Sequence, residues 1–533
     1  MVRDGERVAL KKETSEKEMK MMGKIRFVSL GCKVNQYETA AVQELFRAYG
    51  FECASECEQA AVVVVNTCAV TAESERKSGQ LIRRMKAANP RAVVAVMGCF
   101  SQRDPEMVRK ACRADVVSGT KNRIGFVDDV VACVRARRSH AVVERGAQEH
   151  EQVQEHGHED EHGREHEQED RGGYEPRDVL VQVQEHGHED EHGGSVGQKW
   201  QKEDFEEFDV IPGMERTRAF VKIQDGCNRF CSYCIIPYLR GPIRSREQEK
   251  VLREIEHLVA NGYSEVVLTG IHVSSYGVDW AGVSELGELV TKVAEISGLR
   301  RLRLSSLEPT VITEQFIEHL KRCEDVFCPH FHLSLQSGSE TVLKRMNRRY
   351  STDQYRQAVN RLRRTFEEAA FTTDIIVGFP GETDAEFEES LAFCREIGFS
   401  KIHVFKFSPR SGTPAAKYPN QIDGKVKADR SRRMLALSEE MALAFHQRYV
   451  GRIVSVLVER ETEKTGESAS REDPVHSADP EIMDDQFGGC FEGMTANYIR
   501  VTLKTSHEYC TEGSIRIVRI TGADAQGCAG IEV

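Results

Sequence analysis

Three closely spaced cysteines are the strongest chemical signal in the sequence. Cys227, Cys231 and Cys234 lie in the segment CNRFCSYC, with three and then two residues between them. Iron–sulfur clusters bind through cysteine thiolates, and this spacing lets one loop wrap around a corner of a [4Fe–4S] cube and leave one iron open. A structural zinc site is the alternative, but it needs four ligands, and no further Cys or His lies at the usual spacing. The motif therefore predicts an iron–sulfur site with one open iron.

A second set of thiols follows three short β-branched runs near the N-terminus. The pairs are Ile25–Leu30 with Cys32, Val62–Val65 with Cys68, and Val93–Met97 with Cys99. Stretches with helical spacing separate the runs, which predicts a doubly wound parallel sheet. The loops after the carboxyl ends of such strands line one edge, so we expect the three thiols to meet there. Burial of each cysteine as a small apolar residue is the alternative.

Six further strand-like runs recur between Arg218 and Pro409, with helical stretches between them. They are AFVKIQDG, EVVLTGI, LRLSSL, FHLSLQSG, TDIIVGF and KIHVFKF. Six βα units predict a partial (β/α) barrel, in which chemistry is expected at the carboxyl ends of the strands. The cysteine motif that begins at Cys227 follows the first run and thus lies at such an end.

The segment QDGCNRFCSYCIIPYLRGPIRSR resembles the signature of radical S-adenosylmethionine enzymes, in the form used by the methylthiotransferases. The segments GCKVNQYET, VVNTCAVT and VMGCFSQ resemble motifs of the methylthiotransferase N-terminal domain. The resemblance implies two [4Fe–4S] clusters and S-adenosylmethionine as cofactors. Cys227, Cys231 and Cys234 would bind the cluster that cleaves S-adenosylmethionine to a 5′-deoxyadenosyl radical. An auxiliary cluster would be ligated by Cys32, Cys68 and Cys99.

Four more segments are similar to barrel motifs of the same family: TGIHVSSYG, RLSSLEP, LSLQSGS and DIIVGFPGET. By this resemblance Thr269, Gly270, Ile271 and His272 replace the Gly-Gly-Glu of other radical enzymes and hold the methionyl amine. Glu308, Gln336, Ser337 and Gly338 are further candidates for contacts with the cofactor. Ordinary capping at strand ends is the other interpretation of these last four residues.

The C-terminal block resembles a TRAM domain, a small β-barrel that binds RNA in this family. Alternating strands are predicted at Ile453–Arg460, Phe491–Leu503 and Gly513–Gly522. An acidic stretch near 461–489 interrupts the pattern. RNA binding by this block therefore depends on the resemblance and not on a basic composition.

One insert carries the excess negative charge of the chain. The 533 residues have a net charge of −12, and residues 140–199 hold 17 acidic and five basic side chains, which equals that excess. Nine of the 18 His lie in 140–213, where QVQEHGHEDEHG occurs at Gln152–Gly163 and again at Gln182–Gly193. Dense like charge and low apolar content predict a disordered insert. It is either a solvated linker or a metal-buffering tract.

Nothing in the sequence indicates a membrane segment or an export signal. The longest apolar run, Ala60–Val65, is far shorter than the roughly 20 residues of a membrane helix. Met1–Lys24 is charged throughout and has no apolar core of a signal peptide. We expect a cytoplasmic protein whose 16 Cys stay reduced.

These patterns together predict an α/β protein with several domains. The predicted blocks are a disordered tail (1–23), the N-terminal domain (24–139), the insert (140–213), the radical S-adenosylmethionine domain (214–447), the TRAM domain (448–522) and a second tail (523–533).

The resemblance implies a transferase that adds a methylthio group to carbon 2 of threonylcarbamoyladenosine at position 37 of transfer RNA. The same chemistry on isopentenyladenosine, or on an aspartate of a ribosomal protein, is the alternative within the family. A non-catalytic iron–sulfur protein that binds RNA is the alternative from another class. The implied partners are the anticodon loop of transfer RNA, whose bases can be splayed out, and an electron donor such as flavodoxin.

Basic residues are concentrated in the barrel, and their role has two interpretations. They occur in Met214–Lys250 (Arg216, Arg218, Lys222, Arg229, Arg240, Arg244, Arg246 and Lys250) and in a second group (Lys344, Arg345, Arg348 and Arg349). They bind nucleic-acid phosphate or form ion pairs within the barrel.

Overall fold

The computed structural model of the chain describes residues 22–55, 58–154, 204–208, 217–462, 489–505 and 510–533. The predicted tail up to residue 21, most of the insert (155–203 and 209–216) and most of the acidic stretch (463–488) lie outside the described residues. Among the residues that are described, no helix is long and apolar enough to span a bilayer.

The chain forms two compact units. The first comprises the described parts of Met1–Ser29, Leu45–Thr67 and Lys77–Lys199, and the second comprises those of Leu30–Glu44, Cys68–Arg76 and Trp200–Val533. The predicted N-terminal domain (24–139) is therefore not a unit by itself. Leu30–Glu44 belongs to the second unit because Asn35, Tyr37 and Glu38 bond to side chains of the barrel region.

A five-stranded parallel sheet lies in the first unit, in the order β2-β1-β3-β4-β5. The strands are β1 (Gly23–Ser29), β2 (Phe51–Cys53), β3 (Val62–Thr67), β4 (Val93–Gly98) and β5 (Val116–Val117). Every residue of β3 and β4 is buried. Strands that are covered on both faces are apolar without alternation, which explains the runs of valine. The predicted parallel sheet is confirmed, whereas β2 and β5 were too short to be predicted.

The helices of the N-terminal region follow these strands. Their bounds are Lys33–Ala48, Ala72–Ala88, Cys99–Arg103 and Arg123–Gln154, with a π-helical turn at Met107–Ala111. The last helix continues past residue 139, where the insert was predicted to begin. The predicted boundary is therefore too early, because charged helical residues have the same composition as a polar linker.

The second unit contains the six predicted strands of the barrel, β6 (Arg218–Asp225), β8 (Glu265–Gly270), β9 (Arg301–Leu304), β10 (His330–His332), β11 (Ala370–Val377) and β12 (Lys401–Lys406). A short strand, β7 (Arg244–Ser245), pairs antiparallel with β6 at the edge. Two ladders, β7-β6-β8-β9 and β10-β11-β12, are connected by parallel bridges from Leu302 to Phe327 and from Leu307 to Leu333. The partial barrel is thus confirmed.

Helices cover the outer face of these strands. Their bounds are Ile236–Arg240, Gln248–Ala260, Val278–Ala281, Leu286–Ala294, Glu314–Lys321, Glu340–Arg345, Thr352–Thr365, Asp384–Ile397 and Gly424–Gln447. Three short 3₁₀ turns lie at Val273–Ser275, Pro309–Val311 and Pro414–Lys417. Alternate strand residues such as Val221, Phe331 and Ile402 belong to the apolar core beneath the helices. The residues between them face the barrel lumen, because side chains alternate across a strand.

Five strands at the C-terminus form the predicted small closed barrel, in the order β13-β14-β15-β17-β16. They are β13 (Ile453–Thr462), β14 (Gly489–Thr495), β15 (Arg500–Thr505), β16 (Ile515–Ala523) and β17 (Cys528–Glu532). The prediction of a tail at 523–533 is wrong, since β17 pairs with both β15 and β16 and closes the barrel. A turn splits the predicted strand Phe491–Leu503 into β14 and β15, with Tyr498 in the left-handed region at φ 71°.

The turn between β14 and β15 lies at the amino end of the larger barrel. Arg301 donates to the Met494 carbonyl (2.9 Å) and Arg303 donates to the Ala496 carbonyl (2.9 Å). The Tyr498 ring stacks on His330, the first residue of β10, with 4.5 Å between centroids. Tyr498 therefore caps the lumen at the end opposite to the cysteine motif.

Removal of residues 524–533 tests the role of β17. Loss of this strand leaves β15 and β16 with open edges, so amide hydrogen exchange in β15 should accelerate roughly 100-fold, equivalent to about 2.7 kcal/mol of local stability. Mass-spectrometric hydrogen exchange measures the effect. Removal of exposed Val533 alone is the control and should change exchange little; equal protection in both truncated proteins would contradict a closing role.

Candidate active site

The loop that carries the three cysteines leaves β6 through a turn that only glycine permits. Gly226 has φ 70°, and a Cβ atom there would lie 1.7 Å from the Pro242 carbonyl oxygen. Cys227 N–H donates to the Gly241 carbonyl (3.1 Å), and the helix Ile236–Arg240 follows the third cysteine directly. The loop is therefore held at both ends, at the carboxyl end of the first barrel strand, as the sequence predicts.

Hydrogen-bond donors approach the thiols of this loop. Arg229 N–H donates to Cys227 Sγ (3.4 Å), and the Arg348 guanidinium donates to Cys231 Sγ (3.1 Å). Burial raises the pKa of Cys227 to about 11 and that of Cys234 to about 12. Without a metal, Cys227 and Cys234 are thus protonated at neutral pH, and iron binding must release these two protons.

The donor set fits an iron–sulfur cluster better than a single ion. Within the described ranges no three Cys, His, Asp or Glu side chains converge on one metal position. Each thiolate of a [4Fe–4S] cube binds a different iron, so its ligands surround the cluster and do not converge on one point. Three neighbouring thiols with N–H donors to sulfur match that requirement, since such donors stabilise thiolate charge.

Arg240 is the centre of a buried ionic network beside the loop. Its guanidinium donates to Asp225 (3.1 Å) and to both carboxylate oxygens of Glu38 (2.9 and 3.1 Å). Lys222 pairs with the same two acids, at 2.9 Å from Glu38 and 2.6 Å from Asp225. Cations hold the pKa of Asp225 well below its usual range although burial alone would raise it. Asp225 and Arg240 flank the cysteine loop, so the network holds its two ends together.

The segments with Cys32 and Cys68 have contacts of their own in the second unit. Cys32 is exposed, and its thiol donates to Asn35 Oδ1 (3.4 Å), which also accepts from Arg240 (3.2 Å). Cys68 is buried and precedes Ala69, whose carbonyl accepts from Arg410 (2.5 Å). In the first unit Cys99 is buried and begins the helix after β4. The three predicted thiols thus follow β1, β3 and β4, adjacent strands of one sheet.

Glu308 contacts two guanidinium groups and one imidazole near the cysteine loop. Its carboxylate lies 2.8 Å from Arg229, 3.0 Å from Arg348 and 3.2 Å from His272 Nε2. Burial favours its neutral form, but the His272 hydrogen bond and the two guanidinium charges hold the pKa at about 2. Since Arg348 also bonds to Cys231 and Arg229 belongs to the loop, Glu308 is a part of this site.

The predicted segment Thr269–His272 ends β8 beside Glu308. Thr269 is buried on the strand, and Ile271 is half-buried. At Gly270 an added Cβ would lie 2.9 Å from the Gln224 carbonyl oxygen. His272 N–H donates to Gln224 Oε1 (2.7 Å). The structure therefore brings His272 and Glu308 together with the cysteine loop.

The segment Gln336–Gly338 bonds to two neighbouring elements, β11 and the helix Asp384–Ile397. Gln336 has φ 72° and bonds through its backbone to both Asp374 and Ile376 of β11. The hydroxyl oxygens of Ser337 and Ser390 lie 3.0 Å apart, and Gly338 N–H donates to Ser390 Oγ (3.0 Å). These bonds attach the loop after β10 to the helix Asp384–Ile397, which agrees with the interpretation as ordinary capping.

Ion pairs account for most of the basic residues that the sequence singles out. Carboxylates pair with Arg218, Lys222, Arg229, Arg240, Arg244, Arg246, Lys250, Lys344, Arg345 and Arg348. Arg216 lies outside the described residues. The partners range from near neighbours, such as Glu247 for Lys250, to distant residues, such as Glu38 for Arg240, so composition alone showed basic groups but not their counter-ions. The structure thus favours ion pairs over a phosphate-binding patch.

Comparisons with known families agree with this site. The profile described as the Radical SAM superfamily matches residues 221–394, and the one described as Uncharacterized protein family UPF0004 matches residues 24–119. The barrel and its cysteine loop are thus those of a radical S-adenosylmethionine enzyme, a class that uses S-adenosylmethionine and a [4Fe–4S] cluster.

Individual relatives define the family more narrowly. Threonylcarbamoyladenosine tRNA methylthiotransferase MtaB of Bacillus subtilis is 35% identical over 91% of this chain and 92% of its own length. A tRNA-2-methylthio-N(6)-dimethylallyladenosine synthase of Bacillus mycoides is 33% identical over 82% of this chain and 76% of its own length. The radical S-adenosylmethionine methyltransferase TsrM of Kitasatospora setae is 14% identical, with a TM-score of 0.47 over 74% of this chain and 75% of that chain. The chain belongs to the radical S-adenosylmethionine methylthiotransferase family.

Substitution Glu308→Gln tests the ionic site. The amide leaves the nearly buried Arg348 guanidinium and the partly exposed Arg229 guanidinium without their counter-ion, so the free energy of unfolding should fall by about 3 kcal/mol. The loss should be equal at pH 5 and pH 8, because a carboxylate with a pKa of about 2 stays charged in this range. Its stabilisation should disappear only as the pH falls from the unfolded value near 4.5 through about 2.

Urea unfolding of the cluster-free protein, followed by circular dichroism, measures this effect. Glu288→Gln is the matched control, since exposed Glu288 pairs with Lys292 four residues later and should cost less than about 0.5 kcal/mol. Equal losses in the two variants would show that Glu308 does not stabilise the site.

Proposed function

We propose that the protein is a transfer RNA methylthiotransferase that adds a methylthio group to carbon 2 of threonylcarbamoyladenosine at position 37. The observation that carries this proposal is the 35% identity, over nine-tenths of both chains, to a protein named for that activity. The reaction replaces the hydrogen on carbon 2 by SCH₃. The hydrogen leaves on 5′-deoxyadenosine, and a second S-adenosylmethionine supplies the methyl group.

Two groups of cysteines would hold the metal clusters. We assign Cys227, Cys231 and Cys234 to the cluster that binds S-adenosylmethionine. Cys32, Cys68 and Cys99 would hold a second [4Fe–4S] cluster, for which the support is the resemblance of their motifs and their positions after adjacent parallel strands. When bound, these groups supply reductive cleavage of S-adenosylmethionine and a sulfur atom, which side chains alone do not provide. We also propose that an electron donor such as flavodoxin supplies the electron for this cleavage.

The side chains around the first site would orient the cofactor. Thr269–His272 would hold the methionyl amine, as the family resemblance implies, and Glu308 is held by Arg229 and Arg348 beside the same loop. Gln336, Ser337 and Gly338 lie in the loop after β10, and the bonds of Ser337 and Gly338 to Ser390 would hold this loop in place beside the cofactor. The buried position of Glu308 keeps water away from the ion pairs, which strengthens them.

Two cysteine substitutions separate the roles of the two sites. Cys227→Ala should lower 5′-deoxyadenosine release to background, a loss of at least about 100-fold. Cys99→Ala should keep 5′-deoxyadenosine release within about threefold of the wild type but lower methylthio transfer at least about 100-fold. The assay uses reconstituted protein under anaerobic conditions, with mass spectrometry of the nucleosides.

Cys53→Ala is the matched control, because Cys53 is an exposed thiol on β2 that has no proposed role. It should leave both products unchanged. Loss of 5′-deoxyadenosine in Cys99→Ala to the same extent as in Cys227→Ala would contradict separate roles.

A further inference from the structure

The lumen of the larger barrel is lined by charged and imidazole side chains. On each strand these residues alternate with the apolar residues that face the helices. They include Arg218 on β6, Arg303 on β9, His330 and His332 on β10 and His403 on β12. Tyr498 caps one end of the lumen, with Arg218 and Arg303 at 5.4 and 4.9 Å from its ring centroid. The opposite end carries the cysteine loop, so these polar side chains lie between the capping turn and the site.

Most of these lumen groups have a partner in the protein. Arg218 lies 2.6 Å from Glu459, and Arg303 lies 2.8 Å from Glu265. His330 and His332 both bond to the Thr372 hydroxyl (3.0 Å each). The two guanidinium charges are thus neutralised, and the imidazoles of β10 are hydrogen-bonded.

Lys33 has no such partner in the part of the chain that the structure describes. This lysine is half-buried and follows Cys32 in the segment that belongs to the second unit. Its ammonium lies 6.0 Å from the ring centroid of Phe220, a lumen residue of β6. Among the residues that the structure describes, no carboxylate lies within 4.0 Å of this ammonium and no hydrogen bond of it is found.

The charge of Lys33 also acts on groups that line the lumen. Burial is the main cause that lowers the pKa of His330 and of His403, and the charge of Lys33 contributes in the same direction to both. Lys33 also lowers the pKa of Tyr498 at the cap. The ammonium is therefore within electrostatic reach of β10, β12 and the capping turn at once.

We propose that the Lys33 ammonium binds the carboxylate of the threonylcarbamoyl group when the modified adenosine enters the barrel. This inference rests on the proposed function. A half-buried cation without a counter-ion is costly, and a substrate carboxylate would supply the missing charge and hydrogen bonds. An isopentenyl group has no atom that can do so and would leave the ammonium desolvated and unpaired. Lys33 thus selects between the two kinds of modified adenosine, beside the cysteine proposed to hold the second cluster.

The test combines a change in the enzyme with a change in the substrate. Reconstituted wild type, Lys33→Met and Lys33→Arg are compared on transfer RNA bearing threonylcarbamoyladenosine and on the same RNA with its carboxylate converted to the neutral methylamide. Lys33→Met should lower kcat/KM for the carboxylate substrate about 100-fold and change that for the methylamide by less than about threefold. Lys33→Arg, which keeps the charge, should recover activity to within about tenfold of the wild type.

Two controls keep the result specific. Release of 5′-deoxyadenosine without RNA shows that each variant folds and binds its cofactor. Lys425→Met removes an exposed lysine at the start of the helix Gly424–Gln447 and should leave both substrates unaffected.

The outcomes are distinguishable. Equal losses of Lys33→Met on both substrates would assign Lys33 a structural role and overturn the inference, and full activity on the carboxylate substrate would also overturn it. If the wild type itself transfers no methylthio group to the threonylcarbamoyl substrate, the proposed function fails before Lys33 is tested.

Discussion

The buried pairing of Arg240 with Glu38 and Asp225 is the interaction on which the rest of the site depends. Asp225 is the last residue of β6 and Arg240 is the last residue of the helix after the cysteines, so their bond fixes both ends of the loop. Glu38 brings the segment that contains Cys32 and Lys33 to the same charge network. Isolated charges are expensive to bury, so each member needs the others, and removal of one would leave its partners uncompensated.

This constraint explains how one unit assembles parts from distant regions of the chain. Arg240 and Glu38 are 202 residues apart, and Arg410 reaches the carbonyl that follows Cys68 across 341 residues. The proposed reaction requires the substrate carbon to lie between the groups that supply the radical and the sulfur, sealed from water. Directional bonds between buried charges supply a fixed geometry that apolar packing alone specifies less strictly.

The sequence predicts the local features well and the long-range partners poorly. Thiol spacing at Cys227 and apolar runs such as Val62–Val65 are local signals, and the structure confirms the sheet, the partial barrel and the small closed barrel. Strand β17 was missed because five residues near a terminus give no clear alternation. Nothing in the local sequence distinguishes Lys33, since the absence of a counter-ion becomes visible only when all neighbours are placed.

A competition between two substrates is the most direct test of the proposed activity on threonylcarbamoyladenosine. Equal amounts of transfer RNA bearing threonylcarbamoyladenosine and isopentenyladenosine are incubated with reconstituted protein, reductant and S-adenosylmethionine, and the nucleosides are weighed by mass spectrometry. If the protein acts on threonylcarbamoyladenosine, this nucleoside gains the mass of a methylthio group and the isopentenyl nucleoside does not. A gain on the isopentenyl nucleoside alone, or on neither nucleoside while 5′-deoxyadenosine is released, would contradict the proposed activity.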